Sequence, residues 1–107
     1  MGIQEDAGRL LVFVYQEYTK DNSWIDSKKV IETTKWNSGK INRAIMYLKD
    51  MNAIKINLFL GNTNGVYNFG INGLTPFGIQ LVENSEEFKK NFGFKLDNPS
   101  SHKLKWD

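Results

Sequence analysis

The 107-residue chain has no cysteine, which excludes a disulfide framework and any thiolate metal site. Histidine is nearly absent too. The single one, His102, stands in a polar tail beside Ser100 and Ser101, where it cannot join a His cluster and reads as an ordinary surface residue. Arginine is scarce, two residues against twelve lysines, and asparagine is abundant at twelve. That usage reads as an AT-rich coding bias, which inflates Asn and Lys at positions of no functional weight. No apolar run approaches the ~20 residues that a membrane span needs; the longest is "LLVFVY" from Leu10 to Tyr15. The start, "MGIQED", places Glu5 and Asp6 where a signal peptide carries basic residues, and Asp6 where myristoylation needs Ser or Thr. A cytoplasmic location and no membrane partner are the expectations. Also missing are a G-x-x-x-x-G-K loop, a histidine within a motif and a carboxylate cluster on a predicted cleft. The expectation is a protein that is not an enzyme, with no cofactor and no metal. Glu86 and Glu87 stand at a helix start, where acids complement the dipole.

What is present fits a single folded domain. Hydrophobic residues make up 40% and aromatics 13% of the chain, too apolar for a disordered segment. The net charge of +2 does not announce a nucleic-acid partner, but its distribution is uneven. Residues 1–26 carry a net −3, residues 27–55 a net +5, and residues 56–107 balance. The basic third contains Lys28, Lys29, Lys35, Lys40, Arg43, Lys49 and Lys55.

Hydrophobic periodicity places the elements. Residues 4–19 read as a first helix, apolar around most of its girth through Leu10, Leu11, Phe13, Val14, Tyr15 and Tyr18, which suits a central helix or one shared with a partner. "KDNS", Lys20 to Ser23, reads as a loop, and Trp24 and Ile25 as a very short strand. Asp26 or Ser27 can cap a helix over 27–34. After the turn "TKWN", Asn37 or Ser38 can cap a third helix running to Met51, with Ile41, Ile45 and Leu48 turned inward and Asn52 ending it. The period then changes to two. Ile54, Ile56, Leu58 and Leu60 alternate with Lys55, Asn57 and Phe59, which predicts a strand with one buried face. "GNTNG", Gly61 to Gly65, is a hairpin turn, followed by a returning strand with Tyr67, Phe69 and Ile71. Thr75 and Pro76 open a fourth helix to Glu83. Asn84 with Glu87 opens a short C-terminal helix around Phe88 and Phe92, which Gly93 stops. The domain is placed at 1–95, with a polar tail over 96–107 in which Leu104 and Trp106 can dock.

The predicted fold class is mainly α with a small β-hairpin, an α+β chain. Its order, helix, short strand, helix, turn, helix, hairpin, helix and short C-terminal helix, resembles the winged helix-turn-helix DNA-binding superfamily, in the style of MarR-like and other archaeal or bacterial transcription regulators. The resemblance spans residues 8–93. "VIETTKWNSGKINRAIMYLKDMNAIKI" is similar to that family's positioning helix, turn, recognition helix and first wing strand. Val30, Ile31 and Trp36 fall at its buried positions, as do Ile41, Ala44, Ile45 and Leu48. "YNFGINGLTPFGIQLVEN" is similar to its closing strand and helix.

The resemblance implies double-stranded DNA as the partner, with the 38–51 helix in the major groove, N-terminal residues nearest the bases. Its outward residues are Ser38, Gly39, Lys40, Asn42, Arg43 and Tyr47. Arg43 suits guanine and Asn42 adenine; Gly39 would let a backbone approach, and Ser38 stands at exposed helix amides. Lys28, Lys29 and Lys35 are expected on phosphates, and Asn62 and Asn64 at a wing that carries no charge. A surface pair of Arg43 with Glu32 or Asp50 is the bland reading of that arginine. Two copies would double a modest basic charge, so a homodimer is expected, with the first helix and the Phe88/Phe92 segment as its interface. The alternative reading is a winged-helix module for protein–protein contact without DNA binding; RNA binding by the same basic face is a third.

Overall fold

The computed structural model describes residues 2–21 and 24–107. Its elements run α1 (Ile3–Thr19), β1 (Ile25–Asp26), α2 (Ser27–Thr34), α3 (Ser38–Asp50), β2 (Ile54–Thr63), β3 (Val66–Leu74), α4 (Pro76–Glu83) and α5 (Ser85–Phe92). Five helices and a three-stranded antiparallel sheet make a small mixed α+β fold, in the element order the sequence predicts. Of the expected loop over Lys20–Ser23, Lys20 and Asp21 form a turn, and residues 22 and 23 lie outside the described residues.

Local chemistry accounts for the helix ends. The Asp26 carboxylate accepts from the Lys29 amide at 2.9 Å, and the Asn37 amide oxygen accepts from the Lys40 amide at 2.9 Å. The Thr75 hydroxyl accepts from Gly78 at 3.0 Å ahead of Pro76, and Asn84 accepts from Glu87 at 3.1 Å. Each satisfies an amide that the first helical turn leaves without a partner, a gain of about 1 kcal/mol. Asn52 takes φ 60° just after α3, the left-handed turn that ends a helix.

α1 is the central element. Asp6 to Gly8 and Leu10 to Tyr15 are buried, and the helix packs against α3, α4, α5 and β3. Phe88 and Phe92 are fully buried against it, their rings 4.8 Å apart. Most of the surface expected to form a dimer interface is therefore consumed by this chain's own core, with Tyr18 of α1 left exposed. Tyr15 joins α1 to α4 by donating to Glu83 Oε2 at 2.7 Å. That hydrogen bond, with burial and the adjacent negative charge, raises the phenol pKa.

The tail after α5 has no regular structure, yet it lies on the domain rather than apart from it. Leu96 is buried, and Gln16 Nε2 donates to the carbonyls of Pro99 at 3.0 Å and His102 at 2.8 Å. The Trp106 ring lies edge-on to Phe13 and Trp36, and its carbonyl accepts from Trp36 Nε1 at 3.1 Å.

The sheet order is β1-β3-β2, so β2 is an edge strand. The expected buried face of β2 stops early: Ile54 is buried and Ile56 half-buried, whereas Leu58 and Leu60 are exposed. Register explains the outward turn of Leu60. Leu58 pairs with Phe69 and Asn62 with Tyr67, so β2 advances four residues while β3 advances two. The bulge pushes Phe59 and Leu60 away from the core. The turn is also tighter than "GNTNG", because Thr63 still pairs with Val66. Only Asn64 and Gly65 lie between them, at φ 52° and 86°, the positive pair that a two-residue hairpin turn requires.

Candidate nucleic-acid interface

The α2–turn–α3 segment is positioned by Trp36. Thr34 Oγ1 donates to the Val30 carbonyl at 2.9 Å and accepts from the Trp36 amide at 3.2 Å. Lys35 takes a left-handed conformation at φ 55°, which reverses the chain and drops the Trp36 ring into the core at 8% exposure. Ile41, Ala44, Ile45 and Leu48 are all fully buried beneath α3. Helical spacing then leaves Gly39, Arg43, Met46 and Asp50 on the outward stripe, with Asn42 toward the hairpin and Lys40 and Tyr47 toward α1.

The structure separates the residues expected to touch DNA. Arg43 is exposed, and among the described residues it forms no ion pair with Glu32 or Asp50. Gly39 lies under it: a Cβ there would stand 3.1 Å from Arg43 Nη1. The open space at Gly39 is thus filled by this chain's own guanidinium. Ser38 is half-buried at the first turn of α3, next to the hairpin, since a Cβ on Gly65 would stand 3.0 Å from its Oγ. Lys28 and Lys35 are exposed.

Four others are engaged within the fold. Asn42 Nδ2 donates to the Gly65 carbonyl at 3.0 Å, and its Oδ1 accepts from the Tyr67 amide at 3.0 Å. Both ends of the amide needed for an adenine are used to fasten the hairpin to α3. Lys40 is turned back to the domain. Its ammonium lies 2.7 Å from the Asp107 main-chain oxygen, 3.5 Å from Asp6 Oδ1 and 4.7 Å from the centre of the Trp36 ring. Lys29, half-exposed, pairs with the largely buried Glu17 carboxylate at 3.4 Å. Tyr47 is half-buried, and its hydroxyl accepts from Gln4 Nε2 at 3.4 Å.

In the hairpin, Asn62 Oδ1 accepts from the Gly65 amide at 3.0 Å and so shapes the turn, while Asn64 is exposed at its tip. Thr63 donates to Asn68 at 2.7 Å, and Asn68 Nδ2 donates to the Leu60 carbonyl at 3.1 Å, which closes the bulge. The net result is one platform: the first turn of α3 and the hairpin turn side by side, locked by Asn42. Its charge is small, since Arg43 is the only basic group on an outward stripe that also holds Asp50.

A neutral feature beside this platform escapes the helix-turn-helix reading. Trp24, Leu58, Phe59, Leu60 and Tyr67 are all large apolar or aromatic residues with exposed side chains. The stretch Ile56–Val82 contains no charged residue, which is the signal for it in the sequence. The described residues contain no group of three or more His, Cys, Asp or Glu that could hold a metal ion, and no helix long and apolar enough to cross a membrane. The chain matches no protein-family model, no curated protein and no solved structure, so the geometry above carries the functional argument.

Proposed function

We propose that this chain is a DNA-binding protein of the winged helix-turn-helix type, a transcription regulator in which α3 is the recognition helix and the β2–β3 hairpin the wing. The observation that carries the reading is the Asn42 clamp, which holds the hairpin turn against the first turn of α3 at two 3.0 Å contacts. A duplex meeting that platform would find Arg43 lying over Gly39, the first turn of α3 at Ser38, and the turn around Asn64 on one surface. Lys28 and Lys35 are available to flanking phosphates. The contact set is narrower than the eleven residues read from the sequence: Asn42, Lys40 and Asn62 support the surface, and Arg43 is its base-reading side chain.

Binding to duplex fragments, measured against salt, tests this. Arg43→Ala should weaken binding by about tenfold or more, the cost of one bidentate base contact. Lys28→Gln should weaken it evenly across sequences and reduce the salt slope by about one. No detectable binding at low salt, or binding indifferent to Arg43→Ala, would sink the proposal; stronger competition by RNA than by duplex DNA would redirect it. A second reading, a winged-helix module for protein contact, is favoured by the exposed Leu58, Phe59, Leu60 and Tyr67 beside Met46.

A further inference from the structure

Large apolar side chains seldom stand free in water as a group, yet the bulge in β2 creates such a group here. Leu60 is 98% exposed, Phe59 53%, Trp24 50%, Tyr67 45% and Leu58 43%. Trp24, Leu58, Phe59 and Tyr67 form one patch, and Leu60 follows Phe59 on the same strand. The Trp24 and Phe59 ring centroids are 6.4 Å apart, and Leu58, Phe59 and Tyr67 line one shallow depression with Met46 and Gly61. At these exposures the five side chains offer on the order of 500 Å² of surface, at the upper end for a monomer. A standard stable interface takes about 800 Å² from each partner, so this patch would supply most of one.

Two further properties indicate what covers it. Leu58, Phe59, Leu60 and Tyr67 bring no charge to the patch, because no Asp, Glu, Lys, Arg or His occurs between Ile56 and Val82. These four residues therefore offer nothing to select a charged ligand and nothing to repel their own copy. Leu58, Phe59 and Leu60 also lie on the edge strand β2, with no Lys or Pro between Ile56 and Thr63 to discourage another chain.

We propose that a second copy of this chain covers the patch, in a two-fold symmetric contact centred on Phe59 and Leu60. In such a contact each patch meets its own equivalent, so a neutral apolar surface is self-complementary. The dimer would form through the hairpin, whereas α1 and α5 bury their apolar faces within each subunit. It does not require DNA, and because Met46 of the outward α3 stripe lines the same depression, it competes with a duplex for that part of α3.

Sedimentation equilibrium of the full chain without nucleic acid, from about 1 to about 200 µM, tests the contact. The wild type should show a concentration-dependent dimer. Leu60→Glu should raise the dimer dissociation constant at least about tenfold, because it places a charge in the buried centre. Phe59→Ser should act in the same direction. Leu60 touches water almost entirely, so at concentrations below the wild-type dissociation constant, where both are monomers, the variant should keep the wild-type thermal midpoint. A wild type that stays monomeric, or a dimer indifferent to both variants, overturns the proposal. If the dimer forms and neither the wild type nor the monomeric Leu60→Glu variant binds duplex, the DNA reading fails and this contact stands.

Discussion

The α2–α3 helix pair and the β2–β3 hairpin are neighbours in sequence and space, and they handle their side chains in opposite ways. The helix pair is rich in charge, yet Lys40 is drawn inward to Asp6 and the Asp107 carbonyl, and Lys29 to Glu17. The hairpin is rich in apolar residues, yet it turns Phe59 and Leu60 outward. Regional charge therefore overstates how basic the outward face of α3 is, and regional hydrophobicity overstates how deep β2 lies. What joins the regions is polar and specific: Asn42 at the hairpin tip, and a packed backbone contact at its base.

The largest expected effect comes from breaking the base. Gly78, in the first turn of α4, lies so close to the start of β2 that a Cβ would stand 2.0 Å from the Ala53 carbonyl oxygen. That carbonyl is main chain and already accepts from the Thr75 amide at 3.1 Å, so it cannot swing aside as a side chain would. Gly78→Ala should cost about 3 kcal/mol by overpacking, measured as a lower midpoint in urea. An unchanged midpoint would show that the base of the hairpin yields easily, and the contrast with the helix pair would weaken.

Breaking the tip should cost less. Asn42→Ala removes two hydrogen bonds at an exposed site, where water can replace part of each, so about 1–2 kcal/mol is expected. The sharper readout is local. Amide exchange should accelerate at Tyr67, whose N–H loses its acceptor, while Ile45 and Leu48 in α3 keep their protection. If Tyr67 exchange is unmoved, Asn42 is not the clamp, and its amide is available for a base after all.

The two regions also differ in how far their structure is legible in the sequence. Capping is local chemistry, so Asp26, Asn37, Thr75 with Pro76, and Asn84 mark their helices correctly. The inward set Ile41, Ile45 and Leu48 follows from helical period alone. The fates of Lys40 and Asn42 do not, because their partners lie far along the chain, at Asp6 and Asp107 for one and at Gly65 and Tyr67 for the other. Nor do the register shifts: Ile54, Ile56, Leu58 and Leu60 alternate as a buried strand should, and only the pairing shows the breaks between Lys55 and Ile56 and between Leu58 and Asn62. The platform's position was thus readable, whereas which of its side chains remain free for a ligand was not.

The smallest expected effect separates stability from binding within the helix pair. Lys35 holds φ 55°, a conformation that costs a residue with a Cβ about 1 kcal/mol or more and glycine almost nothing. Glycine also loses more freedom on folding, which offsets part of the gain, so Lys35→Gly should stabilise the fold by roughly 0.5 kcal/mol. The same change removes an exposed cation beside the turn. If Lys35 contacts a phosphate, the variant should bind duplex DNA more weakly and with a salt slope smaller by about 0.9, although its fold is firmer. A variant that is more stable and binds DNA with an unchanged slope would remove Lys35 from the interface and leave Lys28 and Arg43 to supply its charge. Opposite signs in the two measurements could not come from a general loosening of the domain, because loosening would lower both.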